Sequence, residues 1–182
     1  MTLNDWYNKG MTFTAYRNSM KVNQKELTQV YDELKFTAED EKAWNELAKR
    51  NWRGIVLTAD WCGDAALNVP VFQRIAEASN IDLRFLIRDD NLELMDQYLT
   101  NGTARAIPIF IFIDQEGNEA AVWGPRSPEV QEYVMALRAD LPPADAPDFE
   151  AKQQAMYSHF RQSITSDPAK WCTVIESFKA KL

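Results

Sequence analysis

The chain has 182 residues, 46% of them apolar and 12% aromatic, which is enough for a sizeable core and argues against disorder. Lys and Arg number 20 against 27 Asp and Glu, a net charge of −7 that leaves no cationic stripe for nucleic acid and would be repelled by an anionic membrane surface. The polar opening Met1–Gly10 has no secretory apolar centre, no stretch approaches the roughly 20 apolar residues of a membrane span, and two cysteines are too few for a disulfide framework, so a cytoplasmic setting is expected.

In chain order, Trp6, Tyr7, Met11, Phe13, Tyr16 and Met20 follow no clear period, and so many aromatics are expected to pack on the body of the same chain. Asn23 and Glu26 stand at capping-box spacing, and Leu27, Val30, Tyr31 and Leu34 recur at helical intervals. Thr37 to Asp40 opens a further helix with Trp44, Leu47 and Ala48 as its stripe. From Arg53 the period changes: residues 54–59 read as a short apolar strand, 65–79 as a helix interrupted by Pro70, 82–88 as a strand and 91–100 as a helix. The run Ile107 to Ile113 is almost wholly apolar, as in a central strand buried on both faces. Asp114 to Gly117 has hairpin-turn composition and leads to an edge strand at 119–123. Ser127 as cap and Pro128 at the first helical position open a helix to about residue 140.

The order β-α-β-α-β-β-α describes an α/β layer arrangement ending in a hairpin. Leu141 to Pro147 is a proline-rich break, and a helical tail follows, with Met156, Phe160 and Ile164 on one stripe and Trp171, Ile175, Phe178 and Leu182 on the next. Three regions are therefore expected within one compact unit: a helical extension over 1–52, an α/β core over 53–140, and a linker with helical extension over 141–182. The one histidine, His159, has no Cys or His at ligand spacing and reads as a helix-surface side chain, so no metal site is expected. Six glycines form neither phosphate-binding loop pattern, and no cofactor is expected.

The run Thr58-Ala-Asp-Trp61-Cys62-Gly63-Asp64-Ala65 carries the chemistry. It places a lone cysteine where a strand turns into a helix, among free N–H groups at the positive end of the helix dipole. Such a position favours the thiolate and can lower a cysteine pKa from about 8.5 into the range of roughly 3.5–7.5. Asp64, in the same turn, pushes the other way, and its ordinary role would be contact with the free N–H groups of that turn. The position three residues on, which a dithiol site fills with a second cysteine, is Ala65.

With Trp61-Cys62-Gly63, Pro70 eight positions after Cys62, Ile107-Pro108 before the central strand and Gly124 after the hairpin, residues 53–140 resemble the thioredoxin superfamily. The resemblance implies a thioredoxin-like fold, a central mixed sheet flanked by helices, with the terminal helical segments as additions. It also implies a cis peptide bond at Pro108 beside the reactive cysteine, with Ile107 exposed to pair with an extended substrate strand. Trp61, Gly63, Asp64, Ile107 and Pro108 would then shape the surface that meets substrate. Two positions depart from the family pattern: its resolving cysteine falls on Ala65, and its buried acid falls on Val56.

Cys62 is accordingly expected to attack as a monothiol, forming a mixed disulfide with a protein or low-molecular-weight thiol, to be finished by an external thiol. Arg105 and Arg126 flank the loops around it, and their forks suit the carboxylates of a small thiol as well as ordinary surface ion pairs. Cys172 follows Trp171 as Cys62 follows Trp61, and a packing role is expected for it; a resolving role would need the tail to fold back over the site. Two other readings stand beside the monothiol one: a non-catalytic binding module on a thioredoxin-like scaffold, and a dithiol enzyme whose second cysteine was replaced by alanine.

Overall fold

The computed structural model describes residues 1–182. Four strands, β1 (Arg53–Thr58), β2 (Asp82–Ile87), β3 (Ile109–Ile113) and β4 (Glu119–Trp123), form one mixed sheet in the order β2-β1-β3-β4. β1 runs parallel to β2 and antiparallel to β3, so that Val56 lies between Phe85 and Phe110. Every residue of β3 is buried, as its unbroken apolar run requires.

The helix α5 (Gly63–Ala78) follows β1 directly and buries eleven of its sixteen residues. Its Phe72 stacks on Phe110 with ring centroids 3.9 Å apart, a contact that fixes the helix against the centre of the sheet. Pro70 lies inside this helix, where it removes one intrahelical N–H. The helix α7 (Pro128–Ala139) begins as its sequence demands, with the Ser127 hydroxyl accepting from the Val130 amide and Pro128 in the first turn.

The N-terminal aromatics pack on this body through two short helices, α1 (Leu3–Lys9) and α2 (Phe13–Ser19), which bury Trp6 and Tyr16. Between them Met11 exchanges both backbone hydrogen bonds with Phe85, covering the outer edge of β2. The Tyr16 hydroxyl meets Thr58 Oγ1 at 3.1 Å, so this segment also supports the end of β1 from which the site departs.

Two local expectations need correction. The helix α3 (Gln24–Glu33) has no capping box at Asn23, which is left-handed (φ 58°) and donates instead to the Asp60 carbonyl. A long-range partner has taken the side chain that would have capped the helix. The segment 91–100 holds only the single turn α6 (Leu92–Met95), preceded by a 3₁₀ turn over Arg88–Asp90. There the Asn91 side chain bonds back to the Ile87 carbonyl and Thr100 pairs with Ala104, so backbone groups are satisfied by turns rather than by helix continuation.

The remaining helices are α4 (Ala38–Ala48), α8 (Phe149–Ser166) and α9 (Pro168–Lys179). α4 carries a complete Thr37/Asp40 capping box, and the Asp40 carboxylate also receives Lys179, tying α4 to α9. In α9, Phe178 stacks over Phe112 with centroids 5.0 Å apart. Trp123 of β4 donates its indole N–H to Ser177 at 2.8 Å. The hydrophobic cluster accordingly runs without interruption from Trp6 through the sheet to Phe178. With α9 fixed to the sheet, α8 is held across the start of α5, and this positions the site. No helix is long and apolar enough to cross a membrane.

Candidate functional site

Cys62 is the N-cap of α5, its backbone extended (φ −81°, ψ 117°) and its N–H bonded to the Ala59 carbonyl at 3.2 Å. The thiol donates to the Ile107 carbonyl at 3.4 Å. The Ile107–Pro108 peptide bond is cis. Beneath it Gly124 (φ 138°) sits so close that an added Cβ would stand 2.3 Å from the Pro108 oxygen, so backbone approaches backbone here and only glycine fits.

The amides of Asp64 and Ala65 do reach the sulfur and favour its thiolate. They are outweighed. Burial, with the Asp64 carboxylate second, pushes the Cys62 thiol up to about 12, against the opposing pull of those amides and of Arg126. The expectation of a lowered pKa is therefore corrected: only 8% of Cys62 is exposed, because α8 lies across it. Gly63 shows how close that cover is, since a Cβ there would stand 3.4 Å from the Arg161 side chain.

Asp64 does not cap the helix. Its two carboxylate oxygens accept a fork from Arg126, Nε at 2.7 Å and Nη2 at 2.6 Å, while Arg126 Nη1 donates to Gln131 at 2.8 Å. Burial raises the Asp64 pKa although Arg126 works to lower it. The pair is nearly inaccessible, with 8% and 15% of the two side chains exposed.

Around Cys62 lies a cavity of about 420 Å³. Trp61, Cys62, Gly63 and Asp64 form its side nearest α5, with Ile107 beside them and Tyr157, Phe160 and Arg161 of α8 opposite. Trp61 is half exposed and lies under the Arg88 guanidinium, 4.6 Å from the ring centroid. Of the residues singled out by sequence, Trp61, Cys62, Gly63, Asp64 and Ile107 meet at this cavity. Pro108 is buried behind it, and Ala65 is 1% exposed in the core without reaching it.

Arg105 and Arg126 both line the cavity, but each is already forked onto a carboxylate, Asp96 and Asp64 respectively. Sequence reasoning missed Arg88, Arg138 and Arg161, which complete the guanidinium set. Arg138 and Arg161 belong to helices whose placement over the site no local periodicity announces. Cys172 is exposed and unpaired, a correction to its expected packing role. Trp171, Val174, Ile175 and Phe178 bury one face of α9, which turns position 172 outward and away from the cavity. His159 meets the Tyr133 hydroxyl at 3.3 Å, and no group of three metal-ligating side chains is present.

Residues 10–141 match the family described as Thioredoxin. No curated protein matches the chain. Among solved structures, the fold resembles that of a protein of unknown function, PA1234, from Pseudomonas aeruginosa (TM-score 0.66, 16% identity, 91% of this chain and 96% of that chain covered). It also resembles an HIV epitope-scaffold (TM-score 0.65, 15% identity, 100% of both chains covered).

Proposed function

Because the chain belongs to the thioredoxin family, we propose that it performs thiol–disulfide exchange through Cys62 alone, on small disulfides held in the cavity beside it. The observation that carries this reading is the placement of Cys62 in the lining of that cavity, with its thiol donating to the Ile107 carbonyl.

The Cys62 thiol first gives its proton to water or buffer. The thiolate attacks one sulfur of the bound disulfide, forming a Cys62–substrate disulfide and releasing the other half as a thiolate, which takes up a proton. A second small thiol then attacks the mixed disulfide and regenerates Cys62, since Ala65 cannot do so. A reducing compartment rich in small thiols, such as the cytoplasm, suits this cycle. Small substrates are favoured over protein strands because α8 crosses the cysteine and Ile107 is itself only 4% exposed, its carbonyl taken by the thiol.

A thiol at about 12 is a poor nucleophile at neutral pH. Relative to an ordinary cysteine the thiolate fraction falls by roughly three orders of magnitude, and the greater nucleophilicity of the rarer thiolate recovers about half of that on a logarithmic scale. Holding the disulfide against the sulfur offsets the remaining deficit, since effective molarities of positioned groups far exceed 1 M. The same raised pKa favours a second reading, a binding module that uses the cavity without turnover.

The test uses a Cys172→Ser background, because the exposed Cys172 would otherwise react first. Incubation with a small bis-carboxylate disulfide should give one adduct by intact mass, mapped to Cys62 and removed by added thiol. Binding of the same compound without any adduct would establish the binding module instead.

A further inference from the structure

We propose that the cavity is an oxyanion site, built to take a small molecule bearing two or more carboxylate, phosphate or sulfonate groups through the guanidinium groups of Arg138 and Arg161. The inference names a ligand class for the site just described, but it rests on the arginines and stands whether or not Cys62 reacts.

Arg88, Arg105, Arg126, Arg138 and Arg161 all line one cavity, and Asp64 is the one carboxylate among its lining residues. This concentration of positive charge occurs in a chain whose net charge is −7. Converging guanidinium groups repel one another, and that repulsion is reduced where carboxylates answer them: Asp89 at Arg88, Asp96 at Arg105 and Asp64 at Arg126. Arg138 and Arg161 have no carboxylate partner. Arg138 Nε is moreover buried without any hydrogen-bond partner, so this guanidinium is incompletely satisfied by the protein.

Of the two unanswered cations, Arg138 is held by its guanidinium and Arg161 is placed by its stem. Arg138 lies over the Tyr157 ring at 5.6 Å and donates to that residue's hydroxyl at 3.0 Å. The methylenes of Arg161 rest on Gly63. A guanidinium fixed in the manner of Arg138 loses little freedom when an oxyanion arrives, and both groups carry paired N–H donors suited to its geometry. Low-dielectric walls from Phe160 and Tyr157 strengthen the attraction. The volume, about 420 Å³, admits a small molecule and not a folded partner.

The experiment is calorimetric titration of the full chain at low ionic strength with citrate, with inorganic pyrophosphate, and with sorbitol as an uncharged control. Citrate or pyrophosphate should bind saturably with Kd at or below about 1 mM, and sorbitol should not bind. Preference for citrate identifies carboxylates as the natural chemistry, and preference for pyrophosphate identifies phosphates. Arg138→Gln and Arg161→Gln should each weaken binding by about tenfold or more, since a charge-assisted hydrogen bond is lost. Added sodium chloride should weaken wild-type binding without any mutation. Neither anion contains sulfur, so their binding is read independently of the exchange reaction. Absence of saturable binding by both anions, equal binding of sorbitol, or full affinity in both arginine variants would overturn the proposal.

Discussion

At Cys62 two effects of opposite sign meet, and their magnitudes decide the outcome. The helix start contributes on the order of 0.3–1 kcal/mol for a nearby charge, rising to about 2 kcal/mol in partly buried geometry. Burial can move an ionisable group by as much as about 3–5 pKa units, which is several times larger. Asp64 adds to burial and Arg126 opposes it, so the Asp64–Arg126 pair is the local control of the thiol. Asp64→Asn is therefore expected to lower the Cys62 pKa and to raise alkylation at pH 8 severalfold in a Cys172→Ser background, by removing the like-charge repulsion. An unchanged rate would show that Asp64 does not act on the sulfur. The sign for stability is also fixed. The folded-state pKa of Cys62 lies above its unfolded value, so the native state holds the proton longer. That contribution is fully present below about pH 8.5 and is lost as pH rises toward 12. Between pH 8 and 10 the Cys62 share of the loss should be about 2 kcal/mol by urea denaturation, and Cys62→Ser should remove that share while leaving the share of Tyr16, also pushed up to about 12. An identical pH slope in wild type and variant would contradict the buried thiol.

Two elements set the shape of the site, the loop carrying Pro108 and the helix α8. Gly124→Ala would force a side chain into a left-handed backbone and against the Pro108 oxygen. It should cost at least about 1–3 kcal/mol and lower the urea midpoint, because backbone has no room to yield. Phe160→Ala acts from the other side. Phe160 is 2% exposed and packs on Tyr133 with centroids 5.9 Å apart. Its loss should cost about 3–5 kcal/mol and speed alkylation of Cys62 by thinning the cover over the sulfur. Destabilisation with no gain in alkylation would mean that α8 does not control access. These elements also show what local sequence can and cannot reveal. The strands, α5 and the Ser127-Pro128 start of α7 follow from period and capping, which depend on neighbours in sequence. Asn23 and the 91–100 segment do not, because Asp60 and Ile87 took side chains that local spacing assigned to helix starts. Cys62, its cap position and its neighbours at the cavity were legible from the strand-to-helix transition. Its raised pKa was not, since the cover comes from a helix almost one hundred residues away.

Across the whole molecule, charge is divided between an acidic exterior and a basic hollow. Of the arginines in that hollow, Arg105 and Arg126 could be anticipated from their place beside the site loops. Arg138 and Arg161 depend on how α7 and α8 pack, which is a property of the assembled core and not of any window of sequence. A net charge of −7 keeps anions away from most of the surface, so an anion that binds is expected at the cavity and with marked salt dependence. Family membership and the single sulfur at that hollow together make mixed-disulfide formation the central claim. It is tested most directly by the rate of adduct formation at Cys62, in the Cys172→Ser protein, against the concentration of a bis-carboxylate disulfide and of an uncharged disulfide of the same size. The expected rate saturates with the anionic compound and exceeds that of the uncharged one by about tenfold at low salt. Equal, non-saturating rates for the two, or no adduct at Cys62, would contradict it.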